Sequence, residues 1–336
     1  MREVLASAPG KMNLVLLSGR PGPDAYHPLF SVFESIALRE YVSIRTQKSP
    51  GISVSTVGYT LPTSGLGPPR FSPVLTATLE EIPERQHLAV RAAKALMPLV
   101  GAKWGASAAG LALTVHKVIP AAGGLAGGSA DAAATLVAIN EMWELGLNLE
   151  QLEEVGRTLG ADVPACLHGG WALGLGRGDQ MHTIAPAPEA PVHWWALGFL
   201  REGLSTPAVF REFDRLGLGR DELPSALQLA PDEYTGSRLA ENLHNDLAPA
   251  ALALRPELED VGISALGAGA EAWIISGSGP TVAALAPSEE AAQRIAEEWG
   301  VQSTWEGSPL SSSTVSWGAD RGACVEQDAP HWLRHR

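Results

Sequence analysis

The sequence predicts a mixed fold of strands and helices that is divided into two domains. Segments in which β-branched or apolar residues alternate with polar ones recur between segments of helical spacing. The 336 residues suit about two domains of ordinary size. A proline-rich run at 186–191 is typical of a linker between them, and the polar residues after about 318 predict a loose tail.

The first 100 residues are predicted to contain strands and then a buried helix. Strand-like residues occur at 4–5, 14–17 and 41–44, whereas residues 50–73 are rich in Gly, Pro, Ser and Thr and predict a loop or a weak hairpin. Apolar residues are nearly continuous from Leu88 to Val100, which favours a helix that ends near Pro98.

A strand, a glycine-rich loop and a helix are predicted next. Residues 111–115 alternate as a strand does, and Pro120 ends that pattern. The glycine-rich loop (residues 120–130) leads into an alanine-rich segment that favours a helix to about Leu145. Leu152, Val155 and Leu159 then recur at helical spacing before Gly160.

The second half of the chain alternates between the same two kinds of element. A second glycine-rich turn, at 276–280, separates two of its strands. The predicted strands are 193–199, 272–275 and 281–285, and the predicted helices are 207–215, 246–261 and 288–299.

Charge and composition exclude several classes of protein. The net charge of −13 argues against a duplex nucleic-acid binder, which needs clustered cations. Apolar runs stay short of the roughly 18 residues that a membrane span needs, and the first residues lack the apolar region of a signal peptide. Cys166 and Cys324 are too few for a disulfide framework and suit a reducing cytoplasm.

The order strand, glycine-rich loop, helix is suited to binding phosphate. Glycines let the backbone approach an anion, and the free N–H groups and dipole of the helix attract it. Gly123 and Gly128 have the Walker A separation, but Ser129 stands where that motif needs Lys, and the Rossmann spacing is absent. The loop is therefore a third kind of phosphate loop or only a tight turn, and Asp131 is expected to cap or complement the helix start.

Three segments together resemble the motifs of the GHMP kinases. They are 8–14 (Ala-Pro-Gly-Lys-Met-Asn-Leu), the glycine-rich loop, and 276–281 (Ser-Gly-Ser-Gly-Pro-Thr). The resemblance implies an α+β fold with an S5-like ATP-binding domain over 1–185 and a ferredoxin-like substrate domain over 186–318, followed by a flexible tail over 319–336. It implies a kinase that uses ATP and Mg²⁺.

Further segments resemble one branch of that family. They are 24–29, 159–164 and 205–210. This branch phosphorylates the 2-hydroxyl of 4-diphosphocytidyl-2-C-methyl-D-erythritol in the non-mevalonate isoprenoid pathway. We therefore expect a small-molecule substrate, no nucleic-acid or membrane partner, and a monomer or weak homodimer in the cytoplasm.

The resemblance assigns roles to individual residues. Lys11 and Asp162 match the catalytic pair: a carboxylate can accept or orient the hydroxyl proton, and an ammonium group stabilises the charged transition state. Residues that match the cytidine and substrate contacts are Asn13, Tyr26, His27 and Phe210. Residues that match the ATP-binding stretch are Lys117, Pro120, Ala121, Ala122, Gly123, Gly124, Leu125, Ala126, Gly127, Gly128, Ser129 and Ala130. Ser129 is also a candidate magnesium ligand, although the metal site is not assigned.

The sequence departs from the family pattern at several places. Gly10 and Ala25 stand where the family usually has Ala and Gly, and Gln86-His87 stands where it has an Asp-Asn pair near the adenine. These differences leave open a GHMP-type kinase for another small hydroxyl substrate and a paralogue that binds ligands without catalysis. A metal hydrolase is disfavoured because the nine histidines form no His-Glu-x-x-His pattern.

Overall fold

The strands and helices of the computed structural model follow the predicted alternation. It describes residues 3–62, 67–105, 110–121, 123–186, 189–225, 230–236 and 238–334. The strands are β1 (Glu3–Ser18), β2 (Leu29–Gln47), β3 (Ile52–Thr60), β4 (Arg70–Phe71), β5 (Gly110–Lys117), β6 (Trp171–Leu175), β7 (Gln180–Thr183), β8 (His193–Leu200), β9 (His244–Asn245), β10 (Ala272–Ile275), β11 (Val282–Ala286), β12 (Leu310–Gly318) and β13 (Cys324–Val325). The helices are α1 (Pro73–Glu80), α2 (Leu88–Trp104), α3 (Gly127–Met142), α4 (Leu149–Leu159), α5 (Val163–His168), α6 (Thr206–Arg215), α7 (Pro231–Thr235), α8 (Leu239–Asn242), α9 (Ala248–Leu254), α10 (Glu257–Gly267), α11 (Glu289–Gln302) and α12 (His331–Arg334).

The longest strands, β1 and β2, form the spine of the sheet. They pair antiparallel from Glu3 opposite Arg45 to Ser18 opposite Leu29. The register shifts between Pro9 and Gly10 and again between Asn13 and Val15. Such irregularities bend a strand and redirect its side chains. They enclose the first motif, so the backbone itself sets the direction of its side chains.

Two buried clusters form the hydrophobic interior. One packs α2 and α3 against β1, β2 and β5, and the other packs α6, α9, α10 and α11 against β8, β11 and β12. Strands β8, β10 and β11 contribute alternate residues to both clusters, and β12 meets β2 through the pair Gly318 and Ile36. The division into two domains, with its boundary at 185/186, stays a prediction, and residues 187 and 188 of the predicted linker lie outside the described residues.

One expectation for an individual element is met in part, and two others are wrong. Residues 52–60 form the strand β3, whose end pairs antiparallel with the short β4 as the expected weak hairpin, while β3 also pairs parallel to β5. Helix α2 continues past Pro98 to Trp104; Pro98 and Lys94, the residue four positions earlier whose carbonyl group loses its helical N–H partner, are both exposed. The predicted helix 246–261 is divided into α9 and α10 at Pro256.

The expected flexible tail is also wrong for residues 319–334. Strand β13 pairs antiparallel with β1. The buried Arg39 guanidinium binds the Asp320 carboxylate and donates to the carbonyl oxygens of Arg321 at 2.8 Å and Gly322 at 2.9 Å. Polar composition suggested a loose segment, but its backbone carbonyl groups satisfy a buried arginine.

In the described ranges, no helix is both long and apolar enough to cross a bilayer.

Candidate active site

The three sequence motifs meet at one place. The backbone N–H of Lys11 donates to the Leu125 carbonyl oxygen at 3.1 Å, and its Nζ donates to the Gly124 carbonyl oxygen at 3.2 Å. From the third motif, Ser276 Oγ donates to the same Gly124 oxygen at 3.2 Å, and the Thr281 N–H donates to the Gly123 oxygen at 3.3 Å. The glycine-rich loop is therefore held between the first and third motifs.

Gly124 shows why this close approach needs glycine. Its φ is +80°, in the left-handed region, and a Cβ built on it would lie 2.3 Å from the Ser276 carbonyl oxygen. Any side chain would therefore separate the loop from the turn at 276–280.

Helix α3 presents its N-terminus at the end of this loop. It begins at Gly127 after Ala126, whose backbone is left-handed with φ +62°. Ala126 has no polar side chain with which to cap the first turn. N–H groups at a helix start, together with the helix dipole, are suited to an anion. The predicted phosphate loop thus has the required geometry from Gly123 to Ser129, while Ala122 lies outside the described residues.

The predicted catalytic pair lies beside that helix start. Lys11 Nζ is 3.7 Å from Asp162 Oδ1; the lysine is buried and the aspartate side chain is 41% exposed. Asp162 occupies the N-cap position of α5, yet its side chain makes no capping hydrogen bond. A turn aspartate would normally cap. This carboxylate faces Lys11 and solvent instead, as a group that accepts a proton from a substrate must do.

Asn13 orients the lysine. Its Oδ1 accepts from Lys11 Nζ at 2.9 Å, and its Nδ2 donates to Ser31 Oγ at 2.7 Å. A Cβ built on Gly277 would lie 3.3 Å from the Asn13 oxygen and 3.4 Å from Lys11 Nζ. Asn13 is buried, so its described contacts are with the protein, and its predicted role as a substrate contact remains a prediction.

The predicted cytidine residues form two separate pairs. His27 stacks on Phe210 with ring centroids 4.8 Å apart, and Tyr26 lies under the Arg177 guanidinium at 3.6 Å. The Arg177 side chain also pairs with Asp24 at 3.0 Å. The exposed Tyr26 ring is thus fixed by a cation on one face.

Both ring nitrogens of His27 face oxygen atoms of the protein. Nδ1 is 2.9 Å from the Gly19 carbonyl oxygen and Nε2 is 3.4 Å from Asp214 Oδ1. Because both nitrogens face protein oxygens, neither is free to make the expected hydrogen bond to the edge of a base. The ring faces of Tyr26 and Phe210 fit the expected stacking better.

Lys117 is enclosed rather than directed into the loop. It is buried, with Nζ at 2.5 Å from Glu40 Oε1 and 2.8 Å from Asp131 Oδ2. Asp131 lies beyond the first turn of α3 and binds Lys117, so the expectation that it caps the helix is wrong. Burial raises the pKa of Glu40 to about 8 and also raises the pKa of Asp131, because one ammonium group cannot neutralise two buried carboxylates.

The geometry also identifies residues that sequence analysis missed. The Asn245 amide donates to the carbonyl oxygens of Ile275 at 2.8 Å and Gly277 at 2.7 Å, and thus holds the turn at 276–280. Glu40 accepts from the Val118 N–H at 2.6 Å as well as from Lys117. A glutamate inside a strand of apolar residues was a signal for Glu40; a lone asparagine gave none.

The predicted adenine side is shaped by His87. It is buried, its Nε2 lies 3.2 Å from Thr56 Oγ1, and burial lowers its pKa, so the imidazole is neutral. Gln86 is exposed in the preceding 3₁₀ turn. Throughout the described part of the chain, no group of three or more His, Cys, Asp or Glu side chains is arranged to hold a metal ion.

Comparison with known proteins agrees with this fold. The family model for the GHMP kinase N-terminal domain matches residues 87–170, and that for the GHMP kinase C-terminal domain matches residues 231–302. The first match covers the glycine-rich loop and Asp162, and the second covers Asn245 and the turn at 276–280. The fold class predicted from the motifs is confirmed.

Individual relatives and a solved structure belong to one branch of this family. The chain is 41% identical to the 4-diphosphocytidyl-2-C-methyl-D-erythritol kinase of Nocardia farcinica over 88% of this chain and 89% of that protein. It is 40% identical to the Streptomyces coelicolor enzyme of the same name over 88% and 91%. A crystal structure of 4-(cytidine 5'-diphospho)-2C-methyl-D-erythritol kinase has TM-score 0.69 and 26% identity, covering 95% of this chain and 100% of that one. The chain therefore belongs to the GHMP kinases, in the family of the 4-diphosphocytidyl-2-C-methyl-D-erythritol kinases.

Other GHMP kinases share the fold alone. Homoserine kinase from Cytophaga hutchinsonii has TM-score 0.66 at 20% identity, covering 97% of this chain and 98% of that one.

Proposed function

We propose that this chain transfers the γ-phosphoryl group of ATP to the 2-hydroxyl of 4-diphosphocytidyl-2-C-methyl-D-erythritol. The observation that carries the proposal is the Lys11–Asp162 pair, 3.7 Å apart beside the N-terminus of α3. Relatives of that name at about 40% identity, aligned over nearly nine-tenths of the chain, support the choice of substrate.

The proposed mechanism places Asp162 and Lys11 where charge develops during phosphoryl transfer. The substrate hydroxyl group approaches Asp162, whose carboxylate accepts its proton or orients it for in-line attack. Lys11 lies against this carboxylate, and its positive charge stabilises the transferring phosphoryl group. Lys11 is already held by Asn13 and the Gly124 carbonyl oxygen, so little reorganisation accompanies the reaction.

The glycine-rich loop is proposed to hold the phosphates of ATP. Mg²⁺ in phosphoryl-transfer sites is bound mainly by phosphates and one or two protein groups, so a protein cage is not needed. The Ser129 hydroxyl fits as the protein ligand. A Cβ built on Gly160, two residues before Asp162, would lie 3.9 Å from Ser129 Oγ, so this hydroxyl lies beside the segment that carries the proposed catalytic aspartate. When bound, the ion neutralises charge on the phosphates.

The cytidine group is proposed to lie against the exposed ring of Tyr26 and the partly buried ring of Phe210. Aromatic stacking suits the flat face of a cytosine.

The proposal includes a cytoplasmic monomer or weak homodimer. The two free cysteines, Cys166 and Cys324, suit a reducing compartment.

A coupled ADP-release assay tests the function. The acceptors are the cytidylyl substrate, free methylerythritol phosphate, mevalonate and homoserine, and Asp162→Asn is the control for contaminating kinases. We expect turnover with the cytidylyl substrate alone. Turnover with homoserine or mevalonate instead would favour the alternative of a GHMP-type kinase for another small hydroxyl. ATP binding without turnover of any acceptor would favour the paralogue that binds ligands without catalysis.

A further inference from the structure

Lys117 lies next to the glycine-rich loop but is surrounded by protein charges. Its side chain is 9% exposed, and its ammonium group contacts a carboxylate on β2, Glu40, and one on α3, Asp131. Carboxyl groups within 2.8 Å take two of its three N–H groups. The third N–H belongs to a side chain that the protein almost completely encloses, which disfavours direct contact with a phosphate.

The cluster Glu40–Lys117–Asp131 joins the two ends of the loop. Glu40 Oε2 accepts from the N–H of Val118, where the loop leaves β5, and Oε1 accepts from Lys117. Asp131 lies in α3 directly after the loop, and binds the same ammonium. A Cβ built on Gly127 would lie 3.0 Å from Glu40 Oε1, so the carboxylate also touches the first residue of α3.

We propose that Glu40, Lys117 and Asp131 are positioning residues that hold the start of α3 against the end of β5, and so fix the glycine-rich loop in the shape that binds the nucleotide phosphates. Lys117 thereby acts on ATP through the loop rather than by contact. The inference rests on the proposed function only in taking a nucleoside triphosphate as the ligand.

The glycine content of the loop explains why it needs positioning residues. Glycine-rich backbone has high conformational freedom, and its ordering costs binding free energy unless the protein provides it beforehand. Hydrogen bonds to charged groups in a dry interior are strong and directional. Removing one charge of a buried set leaves its partner uncompensated, so the three side chains act as one unit.

The test compares ATP affinity, measured by calorimetry, in Glu40→Gln and in the double variant Lys117→Met/Glu40→Gln. The double variant removes one positive and one negative charge together, so the net charge of the cluster is preserved. We expect Glu40→Gln to weaken ATP binding at least about tenfold, the loss associated with a charge-assisted hydrogen bond. The double variant should be no weaker, because residues that act through one contact are non-additive.

The matched control is an exposed ion pair, Lys94 with Glu84 at 3.2 Å. Lys94→Met/Glu84→Gln carries the same chemical changes and should bind ATP as the wild type does. The KM for the cytidylyl substrate should stay unchanged in all three variants. If Glu40→Gln does not fold, Glu40→Asp, whose shorter carboxylate cannot reach both Lys117 and the Val118 N–H, takes its place in the comparison.

The outcomes separate the inference from the proposed function. A further large loss of ATP affinity in the double variant would mean that Lys117 contacts phosphate directly and would overturn the proposal. Unchanged ATP affinity in Glu40→Gln, with or without a lower Tm, would reduce the cluster to a structural role and overturn it as well. Failure of the wild type to bind ATP would instead refute the proposed function.

Discussion

The two sides of the active site are built from different parts of the chain. The side proposed for ATP is mainly backbone: glycines and carbonyl groups contact each other across the motifs, as at Gly124 and Ser276. The side proposed for cytidine is mainly side chains on the surface, with Tyr26 55% exposed. A backbone-built site tolerates few substitutions, whereas a side-chain site can change its ligand by single replacements.

The largest expected effect lies where the two sides meet. Asp162→Asn keeps the shape of the side chain but removes its charge, so kcat should fall about 10²-fold or more, the usual scale of general-base loss. Steady-state kinetics with calorimetric ATP binding measures this, and ATP affinity should survive. Lys11→Ala should also lower kcat, and the two losses should be non-additive. Near-wild-type turnover of folded Asp162→Asn would make this residue a mere turn aspartate.

On the ATP side, adjacent glycines should respond unequally. Gly127→Val would place a Cβ 3.0 Å from Glu40 Oε1 and 3.2 Å from Ile119 Cβ, whereas Gly128→Val would meet only the Leu88 side chain at 3.4 Å. Overpacking costs about 1–3 kcal/mol, so Gly127→Val should raise the ATP KM roughly 5- to 150-fold. Gly128→Val serves as the matched variant with a smaller increase. Equal ATP KM values for both variants and the wild type would remove the loop from the site.

On the cytidine side, Phe210→Ala should act on the other substrate. An aromatic stack is worth about 1–3 kcal/mol, so the KM for the cytidylyl substrate should rise roughly 5- to 150-fold while that for ATP changes little. Trp305→Ala, at an exposed aromatic residue, is the control. Equal increases in both KM values would mean that Phe210 only supports His27, on which it stacks.

The buried charges predict a pH dependence of stability. Both oxygens of Glu40 accept hydrogen bonds, while Asp131 Oδ1 has no partner among the described residues, so the proton that the pair retains belongs on Asp131. Burial raises the folded pKa of both carboxyl groups, so the stabilisation is complete below their unfolded values and is lost as pH rises through the raised folded values. Lys117 and the neutral His87 are the other titratable groups that act on Asp131.

Denaturation at pH 6 and pH 8.5 measures this loss. Each pKa unit is about 1.4 kcal/mol, so the wild type should lose at least about 1 kcal/mol of unfolding free energy across this range. Asp131→Asn, which resembles the protonated form, should lose less. Identical pH profiles for the two proteins would show that the pair does not titrate there.

The smallest expected effect concerns the turn before Tyr26. Ala25 has φ +63°, a left-handed conformation that is unfavourable for alanine by about 1–2 kcal/mol. Ala25→Gly removes this strain but adds unfolded-state entropy worth about 0.4–1 kcal/mol. A net gain of up to about 1 kcal/mol in unfolding free energy is expected from chemical denaturation. A loss of stability would indicate that the turn carries no strain.

Sequence analysis predicted the fold class correctly, because the order and spacing of the glycine-rich motifs identify the family. The roles of the glycine-rich loop and of the Lys11–Asp162 pair came from the family resemblance and stay predictions. Sequence analysis failed where contacts between residues distant in sequence determine which groups are buried together. Nothing near Lys117 in sequence shows that Glu40 faces it, and the polar composition after 318 conceals its docking on Arg39. The pairing of both His27 nitrogens likewise depends on Gly19 and on Asp214, which is distant in sequence.

The contact of Ser276 and Gly277 with Gly124 and Lys11 limits how this enzyme can be divided. Met12, beside the lysine, and Leu125 of the loop belong to one hydrophobic cluster. The strands on either side of the turn, β10 and β11, contribute Ile275 and Val282 to the other cluster and alternate residues to the first. A fragment that ends before β8 would contain every glycine of the phosphate loop but not the turn or Asn245 that hold it. We therefore expect ATP binding to require both clusters. An exchange of the second cluster for that of a kinase with another acceptor would have to retain this turn to retain the use of ATP.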